Sequence, residues 1–174
     1  IDCGSGLVKL SRDTAGVTTR YLYGPMGRLT NVLNQQGSYD QIQYQPHGAG
    51  GNTGPSRATV KRRANGDFDS STILSEDVYV YDSLGRLQTE KKRLPGQQYQ
   101  ARHTNYNALG WVTDVTEWVE EAASGAGKKT TYGGFDPFGR ASTVELPDGK
   151  LGAISYKGVA EVAFGDVPQA VEGR

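Results

Sequence analysis

Along much of the chain apolar and polar side chains alternate at every second residue. In Val78-Tyr79-Val80-Tyr81 both valines fall on one face of an extended segment and both tyrosines on the other. Glycine-centred turn signals interrupt the alternation at Gly16, Gly27, Gly37, Gly48, Gly66, Gly85, Gly96, Gly110, Gly127, Gly139 and Gly149. Most successive gaps are 10 to 14 residues, leaving six to eight for a strand between reversals. Hairpins this short join antiparallel neighbours, so the expected fold is all-β: an up-and-down antiparallel meander of about a dozen strands. One stretch is ambiguous, because Val115, Trp118, Val119 and Ala122 also fit a helical face and Glu120-Glu121-Ala122-Ala123 favours helix on propensity. Its place in the alternation predicts a strand through about Val119, then a loop.

The turns fall into two alternating classes. In the first, an aromatic residue is followed four positions later by Gly: Tyr23 and Gly27, Tyr44 and Gly48, Tyr81 and Gly85, Tyr106 and Gly110, Phe135 and Gly139. The aromatics recur at intervals of 21, 37, 25 and 29 residues, and the long interval holds a glycine-rich loop insertion, Gly48 to Pro55. In Asp82-Ser83-Leu84-Gly85 the first residue can accept bonds from nearby backbone N–H groups and the last can take a positive φ. A four-residue turn of this kind places Tyr81 opposite Arg86, Tyr23 opposite Arg28, Phe135 opposite Arg140 and Tyr106 opposite Trp111. Cation–π or aromatic contacts are expected across those pairs. The second class comprises Asp13 to Gly16, Gln35 to Gly37, Asn65-Gly66, Pro95-Gly96, Gly125 to Gly127 and Pro147 to Gly149.

Composition thins the picture. Only 36% of residues are hydrophobic, while 24 are Gly and 10 are Tyr, which suits half-buried strands better than a thick core. Lys plus Arg equal Asp plus Glu at 19 each, so there is no positive surplus to attract nucleic acid or an anionic membrane. No apolar run approaches the ~20 residues of a membrane-spanning helix. The one cysteine, Cys3, cannot form a disulfide within the chain and reads as a bystander.

The recurring Tyr-Asp-x-x-Gly-Arg-Leu pattern resembles the tyrosine–aspartate (YD, or Rhs) repeat family. Tyr79 to Leu87 is a full match, and Tyr21 to Leu29 has Gly24 in place of Asp. Phe135 to Arg140 has Phe for Tyr and Ala141 for Leu, and Tyr106 to Val112 carries Asn107 and Trp111. Members are large secreted or surface proteins: bacterial polymorphic toxins, insecticidal toxin-complex subunits, wall-associated proteins and teneurins. Their repeats wind a β-sheet into a spiral shell that can enclose a toxic domain. The resemblance implies a non-catalytic structural section of such a shell, extracellular or at the cell surface. On this reading residues 1–158 form the repeat sheet, with the insertion near 48–56, and 159–174 an additional strand or tail, all part of a longer protein. An extracellular glycan- or protein-binding adhesion module is the alternative.

Candidate chemistry is sparse. Asp136-Pro137-Phe138-Gly139-Arg140 resembles the Asp-Pro-x-Gly-Leu sequence at which family members cleave themselves after Leu. Arg140 stands in that place, and cleavage would need a second positioned carboxylate, so no catalytic residue is assigned. His47 and His103 have no metal-ligand spacing around them, and no metal or cofactor is expected. Lys61-Arg62-Arg63 reads as a solvated strand. Tyr21, Tyr39, Tyr99 and Trp118 are the aromatics that could stack on sugar rings. Open sheet edges predict partners of the same kind: further repeats of the same polypeptide or edge-to-edge copies, with an enclosed effector or a glycan beside them.

Overall fold

The computed structural model describes residues 4–35, 37–49, 54–64, 72–121, 127–157 and 161–166. Cys3, the Asn65-Gly66 turn, Ala122 and parts of the 48–56 and 125–127 loops lie outside them. The described residues form fourteen strands and no α-helix. They are β1 (Leu10–Arg12), β2 (Thr18–Tyr23), β3 (Leu29–Asn34), β4 (Tyr39–Gln45), β5 (Arg57–Arg63), β6 (Ile73–Tyr81), β7 (Leu87–Arg93), β8 (Tyr99–Tyr106), β9 (Val112–Thr116), β10 (Val119–Glu120), β11 (Lys129–Gly133), β12 (Thr143–Glu145), β13 (Leu151–Lys157) and β14 (Glu161–Asp166).

Two compact units divide the chain, Ile1–Gln100 and Ala101–Arg174, with the boundary inside β8. In the first, β1 to β7 pair in chain order, every pair antiparallel. In the second, β8, β9, β11, β12, β13 and β14 do the same, and short β10 adds to β8. The architecture is the expected up-and-down meander, and neither ladder closes on itself. The stretch that could have been helical is extended: β9 ends at Thr116, and the chain resumes as β10 after Glu117 and Trp118.

The core is thin. Tyr39, Ala101 and Ala141 are the buried apolar residues among those described, with Thr59, Thr89 and Asp114 the buried polar ones. In the first unit all three buried residues share one face, as register shows: Thr59 pairs with Gln43 and Val78, and Val78 with Lys91. Long stems at such cross-strand positions lie along the sheet and cover their smaller neighbours. A charged row crosses this face, with Glu76 between Lys61 and Arg93 at 3.7 Å each.

Three of the four expected cross-strand pairs are out of register. Tyr81 lies opposite Leu87, Tyr23 opposite Leu29 and Tyr106 opposite Val112, each one residue beyond the anticipated partner. The reason is the turn. Its first N–H donates to the fifth residue's carbonyl, as Asp82 to Arg86 (2.9 Å), and its fourth N–H to the first carbonyl, as Gly85 to Asp82 (3.0 Å). That is a five-residue frame, a type I turn with one added left-handed residue. Both turn classes use it: Asp13–Val17, Asn34–Ser38, Asn107–Trp111, Asp136–Arg140 and Leu146–Lys150 show both bonds. Their fourth residue is Gly, with φ from +79° at Gly85 to +92° at Gly37. The classes differ just beyond the turn. After the Tyr-class turns the ladder skips Thr30, Gln88 or Thr113 as a bulge, whereas Arg12–Thr18, Leu33–Tyr39 and Glu145–Leu151 run on without one.

The Tyr44–Gly48 copy falls where the glycine-rich insertion is expected. Strand β4 runs through Tyr44 to Gln45, which pairs with Arg57, so the connection spans 46–56 rather than a tight hairpin.

Candidate functional site

The most developed polar constellation is the turn itself. Asp82 Oδ1 accepts the N–H groups of Leu84 and Arg86, both at 2.9 Å, and Oδ2 accepts Arg86 Nε at 2.7 Å. Asp136 repeats the set with Phe138 N–H (2.9 Å), Arg140 N–H (3.0 Å) and Arg140 Nε (2.7 Å). Asp and Arg four residues apart thus close a lock around the turn, the carboxylate ordering the backbone and the guanidinium capping it. At Asn107 the amide oxygen accepts Leu109 and Trp111 N–H at 3.0 Å each. An amide has no charge to pair, and the fifth residue there is Trp111 instead of Arg. Gly24 has no side chain to lock with, and Arg28 lies over the Tyr44 ring, 5.3 Å from its centroid. Arg140 likewise reaches Tyr156 at 4.7 Å and Phe138 at 5.3 Å. The arginine–aromatic chemistry therefore exists, on the rings of Tyr44, Phe138 and Tyr156. Trp111 meets Phe135 with centroids 5.4 Å apart. The Asp13 turn carries half a lock, Val17 N–H on Oδ1 at 2.9 Å, which a search for Tyr-Asp passes over although Asp-x-x-Gly is present.

The locks hold Asp82 and Asp136 below the usual carboxylate pKa. In each the largest cause is the backbone N–H of the turn's arginine, opposed by burial and assisted by its guanidinium. Asp148 is lowered chiefly by its bond to Lys150. A folded-state value below the unfolded one means the unfolded chain binds protons first on acidification. The locks therefore stabilise the fold above about pH 4, and their contribution is lost as pH falls through the depressed values. Urea midpoints measured from pH 7 to pH 2.5 should fall along this acid limb. The Asp82→Asn/Asp136→Asn double variant should start lower at pH 7 and show a flatter limb; an unchanged limb would contradict the locks.

The candidate stacking aromatics separate. Tyr39 is wholly buried, 0% exposed, between Leu33 and Arg63 in register, so no sugar can reach it; that expectation is corrected. Tyr21 is half-buried, its hydroxyl 3.2 Å from Ser11 Oγ, and Tyr99 is half-buried at the start of β8. Trp118 lines a recess of about 550 Å³ with Arg102, Glu117, Thr130, Tyr132 and Pro147. Arg102 lies over its indole, 5.1 Å from the centroid. The β8–β9 and β9–β11 pairings and the turn after β12 gather these residues, of which Trp118 stands out in the sequence as an aromatic and Pro147 only as a turn residue.

The remaining candidates are tied into the scaffold. His47 pins its loop through N–H to Ser56 Oγ (3.0 Å) and Nδ1 with Gly54 O (2.9 Å). The backbone N–H of His103 donates to Thr116 Oγ1 at 2.8 Å. Arg62 grips Asp40 through two bonds, 2.8 and 3.1 Å, and Arg63 reaches Gln41 at 3.4 Å. Among the described residues no group of three or more His, Cys, Asp or Glu side chains gathers as for a metal ion. No helix among them is long and apolar enough to cross a membrane, a statement that does not bear on strands. The chain matches no protein-family model and none of the curated proteins searched.

Proposed function

We propose that this chain is a non-catalytic structural section of a YD/Rhs-repeat β-shell, secreted or at the cell surface, of the kind that encloses or presents an effector. The observation that carries the reading is the Asp–Gly–Arg lock, built twice with the same three bonds at Asp82 and Asp136. A repeated motif whose polar chemistry is spent on its own backbone is a device for making like hairpins in series. Series of hairpins extend a sheet strand by strand. Electron microscopy of the full-length protein should show a hollow or spiral sheet; a compact particle without a lumen would sink the reading.

The same lock argues against self-cleavage at Asp136, since its carboxylate oxygens are engaged by Phe138 and Arg140 and its proton affinity is lowered. Intact mass should stay unchanged after prolonged incubation from pH 4 to pH 8. A second reading, glycan binding, is favoured by the Trp118 recess, where an Arg-backed indole stands beside Tyr132 and Glu117. Indole faces pack on sugar C–H groups while carboxylate and hydroxyl groups bond the sugar's hydroxyls. A glycan array with signal abolished by Trp118→Ala supports it; an array at background removes it.

A further inference from the structure

The balance of charge in the chain does not extend to the two faces of its first sheet unit. In strands β1 to β7 register assigns every charged side chain to one face or the other. Arg20 pairs with Leu33, Leu33 with Tyr39 and Tyr39 with Arg63, so both arginines share the face of buried Tyr39. Lys61 and Arg57 follow at alternate positions of β5. Lys91 joins them through Thr59 and Val78, and Arg93 through Glu76. Arg12 belongs here too, two residues from Leu10, the partner of Arg20. Glu76 is the one acidic residue of these strands on this face. The opposite face carries Arg62 and Lys92 against Asp40, Asp77 and Glu90. Seven basic residues against one acidic thus stand back to back with two against three.

The run Lys61-Arg62-Arg63 shows the sorting at close range. Arg62 turns to the far face and grips Asp40, while Arg63 reaches Gln41 and Lys61 reaches Glu76 on the near one. Arg12, Arg20 and Arg57 are exposed, and the other four basic residues of the near face are half-buried. Long side chains behave this way when their stems lie on a sheet and their charged ends reach water. From Arg57 to Arg63 the basic tract runs roughly 20 Å along β5, and β7 lies two strand spacings away, roughly 10 Å. Like charges gathered on one sheet face disfavour the fold, and a bound anion relieves that cost. Neutral amides share the tract: Asn31 pairs with Gln41 in register, and Gln43 with Thr59. Amides and hydroxyls both donate and accept, as sugar hydroxyls require. Single-stranded nucleic acid calls instead for aromatic platforms within the basic track. Here Tyr39 is sealed, and Tyr21, Tyr44 and Tyr79 lie on the opposite face with Arg62 and Glu90.

We propose that the basic face of the first unit binds an anionic polysaccharide, with Arg20 and Arg57 holding its sulfate or carboxylate groups. The site is separate from the Trp118 recess, which belongs to the second unit, and it does not depend on the shell reading. Binding of the full chain to immobilised dextran sulfate, polygalacturonate, uncharged dextran and single-stranded DNA tests it by biolayer interferometry. Dextran sulfate should bind if sulfate is the recognised group, polygalacturonate if carboxylate is, and uncharged dextran should not bind. Affinity should fall about tenfold or more between about 50 and about 200 mM NaCl. Arg20→Gln/Arg57→Gln and Arg62→Gln/Lys92→Gln remove the same charge from opposite faces, and circular dichroism checks the fold of both. The first should weaken binding about tenfold and the second less than about twofold. If Arg62→Gln does not fold without its grip on Asp40, Arg57→Gln against Lys92→Gln makes the same comparison. Equal losses from the two faces overturn the proposal. So does failure of both charged polysaccharides to bind, or tighter binding of single-stranded DNA than of either.

Discussion

Replacing Tyr39 with Ala should lower the unfolding free energy by about 3–4 kcal/mol, the range for truncating a buried aromatic residue. Tyr39 is the one large side chain that is fully buried among the described residues. A sheet with so little buried apolar surface concentrates its hydrophobic stabilisation in few places, so this loss is large relative to the whole. Tyr39→Phe keeps the ring and should stay within about 1.5 kcal/mol of the parent. Tyr21→Ala, at a half-buried position, should have a smaller effect than Tyr39→Ala. Urea unfolding followed by circular dichroism makes the comparison, and equal losses for Tyr39→Ala and Tyr21→Ala would refute the burial argument.

The second large effect is expected at Gly139. Gly139 and Gly149 lie in the same unit with nearly the same backbone, φ +80° and +82°. Ala at either must adopt the left-handed region, which costs about 1–2 kcal/mol. A Cβ at Gly149 meets nothing within 4 Å, but one at Gly139 would lie 2.6 Å from Trp111 Nε1 and 2.8 Å from Cδ1. The indole is held against Phe135 and must be displaced, adding about 1–3 kcal/mol of overpacking. Gly139→Ala should therefore destabilise by about 3 kcal/mol and Gly149→Ala by about half as much. In a Trp111→Ala background the difference should vanish. Persistence of the gap there would show that the indole is not its cause.

These two sites mark where reading the chain succeeded and where it stopped. The meander, the two turn classes and the Asp-x-x-Gly-Arg motif were legible, because alternation and turn bonding act over two to five residues. The Arg86, Arg28 and Trp111 pairings were misplaced because each turn counts five residues, its fourth left-handed, rather than four. Further bulges at Thr30, Gln88 and Thr113 then shift the ladder again. Tyr39 and Tyr21 look alike in composition and local pattern. Burial separates them, and burial depends on which long side chains register brings alongside.

Local backbone chemistry thus dictated that the chain reverses often and that its segments run antiparallel, since a glycine-bearing turn needs only its own neighbours to close. The assembled sheet alone decided that Tyr39 is sealed, that Trp111 rests on Gly139, and that Arg102, Trp118 and Tyr132 line one recess. Each of those juxtapositions depends on pairing register. A single added residue in a ladder moves every later side chain to the other face, so register is settled by the sum of turns and bulges and not by any one segment.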